Sequence, residues 1–109
     1  MTLYMAQFSY TAEAWAQLTK TPEDRTRLIK NLVEQLGGRF EGLFYTFGEY
    51  DGFFLAEAPD ETTIASVALA AIAPGHLKAT KITTLLRPAA LVEAMKKAGA
   101  AGYRGPTTS

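Results

Sequence analysis

The sequence predicts an α+β fold: one four-stranded antiparallel sheet in a βαββαβ order, helices over one face, and a further helix at the C-terminus. Three observations carry this expectation. Strand-like runs rich in apolar, aromatic and Thr residues occupy 2–10, 39–47, 52–58 and 76–86. The stretches between the first two runs and between the last two show the apolar spacing of amphipathic helices. The middle two runs are joined only by a short segment holding Gly48 and Asp51, which fits a hairpin. This order is the split βαβ, or ferredoxin-like, plan.

Residues 2–10 place Leu3 and Met5 on one face and Tyr4, Ala6, Phe8 and Tyr10 on the other. Thr11 is placed to cap a short helix carrying Ala14, Trp15 and Leu18. "TPED" then predicts a second helix start, with Thr21 as N-cap and Pro22 at the first helical position. Leu28, Leu32 and Leu36, with Ile29 and Val33 beside them, form its apolar stripe, and Gly37-Gly38 ends it. After the hairpin, Asp60 caps a helix to about Ala73 whose inner face holds Ile64, Val67, Ala68, Ala71 and Ile72. Pro74-Gly75 stops it before the fourth strand. Arg87-Pro88 opens the last helix through Leu91, Val92 and Met95, with Lys96 and Lys97 near its C-terminus. The expected organisation is one domain over residues 1–98 and a flexible tail over 99–109.

Composition narrows function by exclusion. At 109 residues the chain is long enough for one core and too short for two domains. Eleven basic and eleven acidic residues cancel, leaving no electrostatic footprint for nucleic acid or an anionic membrane. The apolar stretch "IASVALAAIA" is about half of what a bilayer-spanning helix needs. No signal segment is evident in "MTLYMAQFSY", so the expectation is a cytoplasmic protein. Absence of cysteine removes thiolate nucleophiles and cysteine metal sites. One His and no tight acidic cluster leave no metal or cofactor expected.

Helices on one face leave the other bare, yet the strands carry apolar groups on both: Phe53 and Leu55 against Phe54 and Ala56. Four strands of ordinary length and spacing expose about 400 Å² on the bare face. The expectation is a homodimer packing sheet against sheet, with flanking loops and the last helix contributing.

The stretch "TPEDRTRLIKNLVEQLGGRFEGLFYTFGEYDGFFLAEAPDE" resembles the GYD-domain family, small bacterial proteins marked by a Gly-x-Tyr-Asp element. The motif is met here as Gly48-Glu49-Tyr50-Asp51, after a Gly-Gly helix end and an aromatic strand. The likeness extends to "TKITTLLRP". It implies a dimeric α/β-barrel type of fold and no established activity. A similar hairpin in the effector-binding domains of leucine-responsive-type regulators implies a ligand-sensing or ligand-carrying module; no helix-turn-helix precedes the domain here.

For "GEYD" itself, the structural reading is a turn. Gly48 and Gly52 would supply positive φ, Asp51 would bond its own backbone, and Tyr50 would pack over the hairpin. The functional reading puts Glu49, Tyr50 and Asp51 at the sheet rim, against a ligand or partner. Trp15 is either a core aromatic or a pocket wall. His76 is the one side chain whose ordinary titration lies near neutral pH, although a lone capping histidine is commoner. Polar residues inside strands, Gln7, Tyr45, Glu57 and Lys81, either occupy edges or a wet rim or, where several share the enclosed face, need partners, for which a Glu57–Lys81 contact is expected.

Three functions follow. The first is a homodimeric module binding a small organic molecule between sheet and helices or at the dimer seam. Trp15, Tyr45, Tyr50, Asp51 and His76 are its candidate ligand residues. The second is a cofactor-independent monooxygenase- or isomerase-like enzyme using His76 or Glu57 as acid–base group. Enzymes of that plan use an Asn, a His and a Trp; this chain has Asn31, His76 and Trp15, but Asn31 falls on a helix. The third is a structural or interaction module whose interior is filled. A cavity of about 300 Å³ or more with converging polar groups would favour either of the first two.

Overall fold

The computed structural model describes residues 1–106. Strand β1 (Thr2–Tyr10) lies in the interior of a four-stranded sheet of order β2-β3-β1-β4, every pairing antiparallel. The other strands are β2 (Arg39–Tyr45), β3 (Gly52–Ala58) and β4 (Leu77–Leu85). Helices α1 (Ala12–Lys20) and α2 (Thr26–Gln35) connect β1 to β2, and α3 (Glu61–Ile72) connects β3 to β4. Helix α4 (Pro88–Ala100) follows β4. The fold is ferredoxin-like α+β, as the element order predicts.

Period-two alternation decides which side chains enter the core. Tyr4, Ala6, Phe54, Ala56 and Ala58 of β1 and β3 are buried under Val33 of α2 and Ile64 and Val67 of α3. Small residues on the strands let the helices sit close, and Val33 and Val67 are 1% exposed. A second cluster, Phe8, Tyr10 and Ala14, lies under α1. The intervening residues Leu3, Met5, Gln7, Phe53, Leu55 and Glu57 share the opposite face.

Three helix ends follow local chemistry. Thr11 caps α1 by accepting from the Ala14 amide at 3.1 Å, and Asp60 Oδ1 accepts from the Thr63 amide at 2.9 Å. At the end of α2, Gly37 adopts φ +97° while Gly38 N donates to Val33 O at 2.9 Å. That is the left-handed closure Gly37-Gly38 predicts.

The start of α2 differs from expectation. Thr21 is the C-cap of α1, its amide donating to Gln17 O at 2.9 Å, and α2 opens only at Thr26. The residue before a proline is disfavoured in helical conformation, so Pro22 ends α1 at Thr21 rather than beginning α2. Asp24 Oδ1 accepts from the Thr26 amide at 2.9 Å, and bonds from the Thr26 hydroxyl and amide hold its carboxyl below the usual range. Strand β2 stops at Tyr45, short of Phe47, and a bulge between Phe40 and Gly42 shifts its register.

Helix α4 runs to Ala100, across the expected domain edge at residue 98. Residues 101–106 form no helix or strand, and the rest of the expected tail, 107–109, lies outside the described residues.

Candidate functional site

Two concave features flank the helix side of the sheet. The first is a cavity of about 180 Å³ between α2, α3 and the sheet. Ala6 and Phe8 of β1, Phe54 of β3 and Ile82 of β4 make its floor. Leu28, Ile29 and Leu32 line one wall from α2; Ala68 and Ala71 line the other from α3. The alanines explain the space: at these positions α3 presents methyl groups where larger side chains would meet α2. Arg25, Pro74 and His76 stand around it, and Tyr10 borders one end. No Asp or Glu lines it.

The second feature is an aromatic cluster where the β2–β3 hairpin meets β1 and α1. The Tyr10 and Trp15 rings lie edge to face at 5.1 Å, and Tyr45 lies 6.0 Å from Phe8. The Tyr10 and Tyr45 hydroxyls are 3.1 Å apart. Burial, then the Tyr45 hydroxyl, drives the Tyr10 phenol far above its usual range, while the Arg25 guanidinium pulls it the other way. Outside the cluster, Trp15, Tyr45, Leu18, Pro22 and Phe47 border a more open depression of about 310 Å³. Although larger, it encloses less of any occupant than the cavity does, so the cavity is the better-formed site.

Asp51 ties this end together. Its Oδ2 accepts from the Tyr10 amide at 2.9 Å and from Trp15 Nε1 at 3.0 Å. Its own amide donates to Phe8 O at 2.9 Å, and its carbonyl accepts from Thr46 N at 2.8 Å. The loop after β2 is thereby stitched to the end of β1. The expectation that Asp51 bonds its own backbone is corrected: its carboxylate reaches across to β1 and α1. Positive φ at Gly48 and Gly52 is corrected too, for neither adopts it. Gly52 is needed for space instead, since a Cβ there would lie 2.7 Å from both Phe44 O and the Phe8 ring.

The remaining candidates are dispersed. Half-buried Tyr50 serves the loop through its carbonyl, which accepts from the Thr46 hydroxyl. His76 borders the cavity, and its carbonyl accepts from Thr11 N at 2.9 Å. Glu57 lies on the opposite sheet face and pairs with Arg87 at 2.9 Å, so the expected Glu57–Lys81 contact is absent. The register explains this: Glu57 aligns through Leu3 with Leu85, four residues along β4 from Lys81, which faces Gln7. Asn31 is exposed on α2 and borders neither cavity nor depression. The Asn31, His76 and Trp15 set is therefore not brought together. Among the described residues, no three His, Asp or Glu gather as a metal site, and no helix is long and apolar enough to cross a membrane.

Sequence reasoning missed most of the cavity. Leu28 and Ile29 read only as stripe residues and Ala68 and Ala71 only as inward-facing ones, while Arg25 carried no signal of its own.

The chain belongs to the GYD domain family, which matches residues 4–95. No curated protein matches it. Among solved structures it is similar in fold to TTHA0845 from Thermus thermophilus, at 14% identity over 80% of this chain and 95% of that one, TM-score 0.51. It is similar to MtbAldR at 12% identity and TM-score 0.51, over 79% of this chain and 52% of that one. At these identities the likeness concerns the fold alone.

Proposed function

We propose that this protein is a small homodimeric binding module whose ligand occupies the cavity between the sheet, α2 and α3. The observation that carries the reading is an unfilled, largely apolar space of about 180 Å³ between the helices and the sheet. It is open to solvent past Leu28 and Ile82 and smaller than a drug-sized site of about 300 Å³, so that only a small ligand fits. An apolar cavity of about 150 Å³ stays dry and takes up benzene. The volume therefore suits a single ring or a short branched acyl group. Arg25 at its border is already ion-paired with Glu23, and no carboxylate lines the space, which favours a neutral molecule over a cation.

Catalysis has less support. Few polar groups border the cavity, and of the two acid–base candidates only His76 does so. A purely structural role would leave the space filled. The apolar face of Leu3, Met5, Phe53 and Leu55 supports the sheet-to-sheet homodimer, and the cysteine-free chain is consistent with the cytoplasm.

Thermal unfolding with and without toluene tests the binding reading. Toluene at saturation raises the midpoint of the wild type by several degrees, since a ligand at 100 times its Kd contributes about 2.7 kcal/mol. Ala71→Leu, which fills the space, removes that increment while leaving a cooperative transition. An unchanged wild-type midpoint at the solubility limit of toluene would sink the proposal.

A further inference from the structure

Helix α4 is the one long element that finds no place in the fold of its own chain. All thirteen of its residues are exposed, and it makes no extended contact with another element among the described residues. Its sequence is nevertheless that of a packing helix. Leu91, Val92 and Met95 fall on one side at i, i+1 and i+4 and are 48%, 43% and 56% exposed. Glu93, Lys96 and Lys97 supply its charges, with Lys96 Nζ 3.6 Å from Glu93 Oε1. The Cα radius of gyration is 18.1 Å, where a compact chain of this length has about 13 Å. The longest dimension reaches 63 Å. An isolated helix of this length is marginal in water, so its stability has to come from something that covers the stripe.

The root of α4 shows where the cover lies. Arg87, its N-cap residue, donates from Nη2 to Glu57 Oε1 at 2.9 Å. Glu57 sits on the open sheet face, with Leu3 aligned between it and Leu85 at the end of β4. The ion pair thus fastens the start of α4 to the side of the sheet that carries no helix.

We propose that α4 is an intersubunit arm: its Leu91–Val92–Met95 stripe docks on a second copy of this chain, which returns its own α4 in the same way. The inference rests on the sheet-to-sheet dimer proposed above and adds to it the element that completes the contact. Area supports this occupant. Two open faces of about 400 Å² each bury only about 800 Å² together, in the range of adventitious contacts. A helix of thirteen residues is about 20 Å long and about 10 Å wide, so docking one side removes about 200 Å² from it and as much from its cover. Two exchanged arms bring the total to about 1,600 Å², the size of a stable specific interface. A reciprocal exchange also closes on itself, so the assembly stops at two.

The test is sedimentation equilibrium on the full chain as wild type, as Leu91→Glu/Met95→Glu, and as Leu55→Glu on the open face. Leu91 and Met95 are 48% and 56% exposed and belong to neither core cluster, so the arm variant keeps the monomer fold, checked by an unchanged near-ultraviolet dichroism spectrum. The expected result is a wild-type dimer whose dissociation constant rises at least 100-fold in the arm variant, and a monomer for Leu55→Glu. A wild-type dimer whose affinity survives the arm substitutions overturns the arm while leaving the sheet contact standing. A wild-type monomer at about 10⁻⁵ M, where a dimer of micromolar affinity would persist, overturns both.

Discussion

The two faces of the sheet are built from alternating residues of the same strands, and they meet different fates. On one, Tyr4, Ala6, Phe54 and Ala56 are sealed beneath α2 and α3. On the other, Leu3, Met5, Phe53 and Leu55 are as apolar but have no helix of their own above them. The closed face contains the cavity, at the seam where the alanines of α3 fall short of the leucines of α2. The open face has a stacked Phe44–Phe53 pair at 5.3 Å and an ion pair holding the root of α4. A strand buried on both faces reads as a continuous apolar run rather than an alternating one, and "GFFLA" is such a run. The difference teaches that one subunit covers one apolar face of its sheet with helices and leaves the other face without any.

Adjacent residues on β3 offer the sharpest way to separate the faces. Phe54→Ala removes a 5%-exposed ring from the closed face and costs about 3–5 kcal/mol of subunit stability, read by urea denaturation. Phe53→Ala, on the open face, costs less than half as much within the subunit and acts chiefly on association, seen as a stability that depends on protein concentration. Equal, concentration-independent losses at both positions would break the distinction.

Asp51→Ala tests how the closed face is sealed at its hairpin end. It strands the Tyr10 amide and Trp15 Nε1 together and costs about 1–3 kcal/mol; Asp51→Asn, which keeps one acceptor oxygen, costs less. Quenched Trp15 fluorescence changing in the alanine variant alone would locate the effect at the cluster.

Tyr10 supplies a pH signature of the same face. Its phenol is raised above the ordinary value of 10.0, so folding favours the protonated form. Its contribution is complete below pH 10.0 and is lost as the pH climbs from there through the raised folded value. Wild type therefore loses stability above that pH more steeply than Tyr10→Phe, a comparison that chemical denaturation across the alkaline range decides. The smallest effect belongs to the open face: Glu57→Gln costs under about 1 kcal/mol of subunit stability, because Arg87 is largely exposed.

Much of this architecture is legible in the sequence because local chemistry and global fold agree. Thr11 and Asp60 cap where their side chains can reach an amide, Gly37-Gly38 closes α2, and the alternation in β1 and β3 separates the faces. "TPED" misleads because the same Thr-Pro pair suits a helix start and a helix stop; only the preceding helix, already running into Thr21, decides between them. The site is less legible. That Trp15, Tyr45 and Asp51 meet depends on the hairpin being stitched to β1, a contact between residues 41 apart for Tyr10 and Asp51. Glu57 finds Arg87 rather than Lys81 because strand register, invisible in composition, puts Leu85 and not Lys81 alongside. A cavity is harder still, since it is made by what Ala68 and Ala71 do not fill.

The direct measurement is a toluene titration followed by amide and methyl chemical shifts of the isotope-labelled protein. Binding in the closed-face cavity moves the signals of Leu32, Ala68, Ala71 and Ile82 in a saturable way and leaves Phe47 at the rim unchanged. Shifts confined to Trp15, Tyr45 and Phe47, or no saturable shift at all, would contradict a ligand chamber between the sheet and its helices.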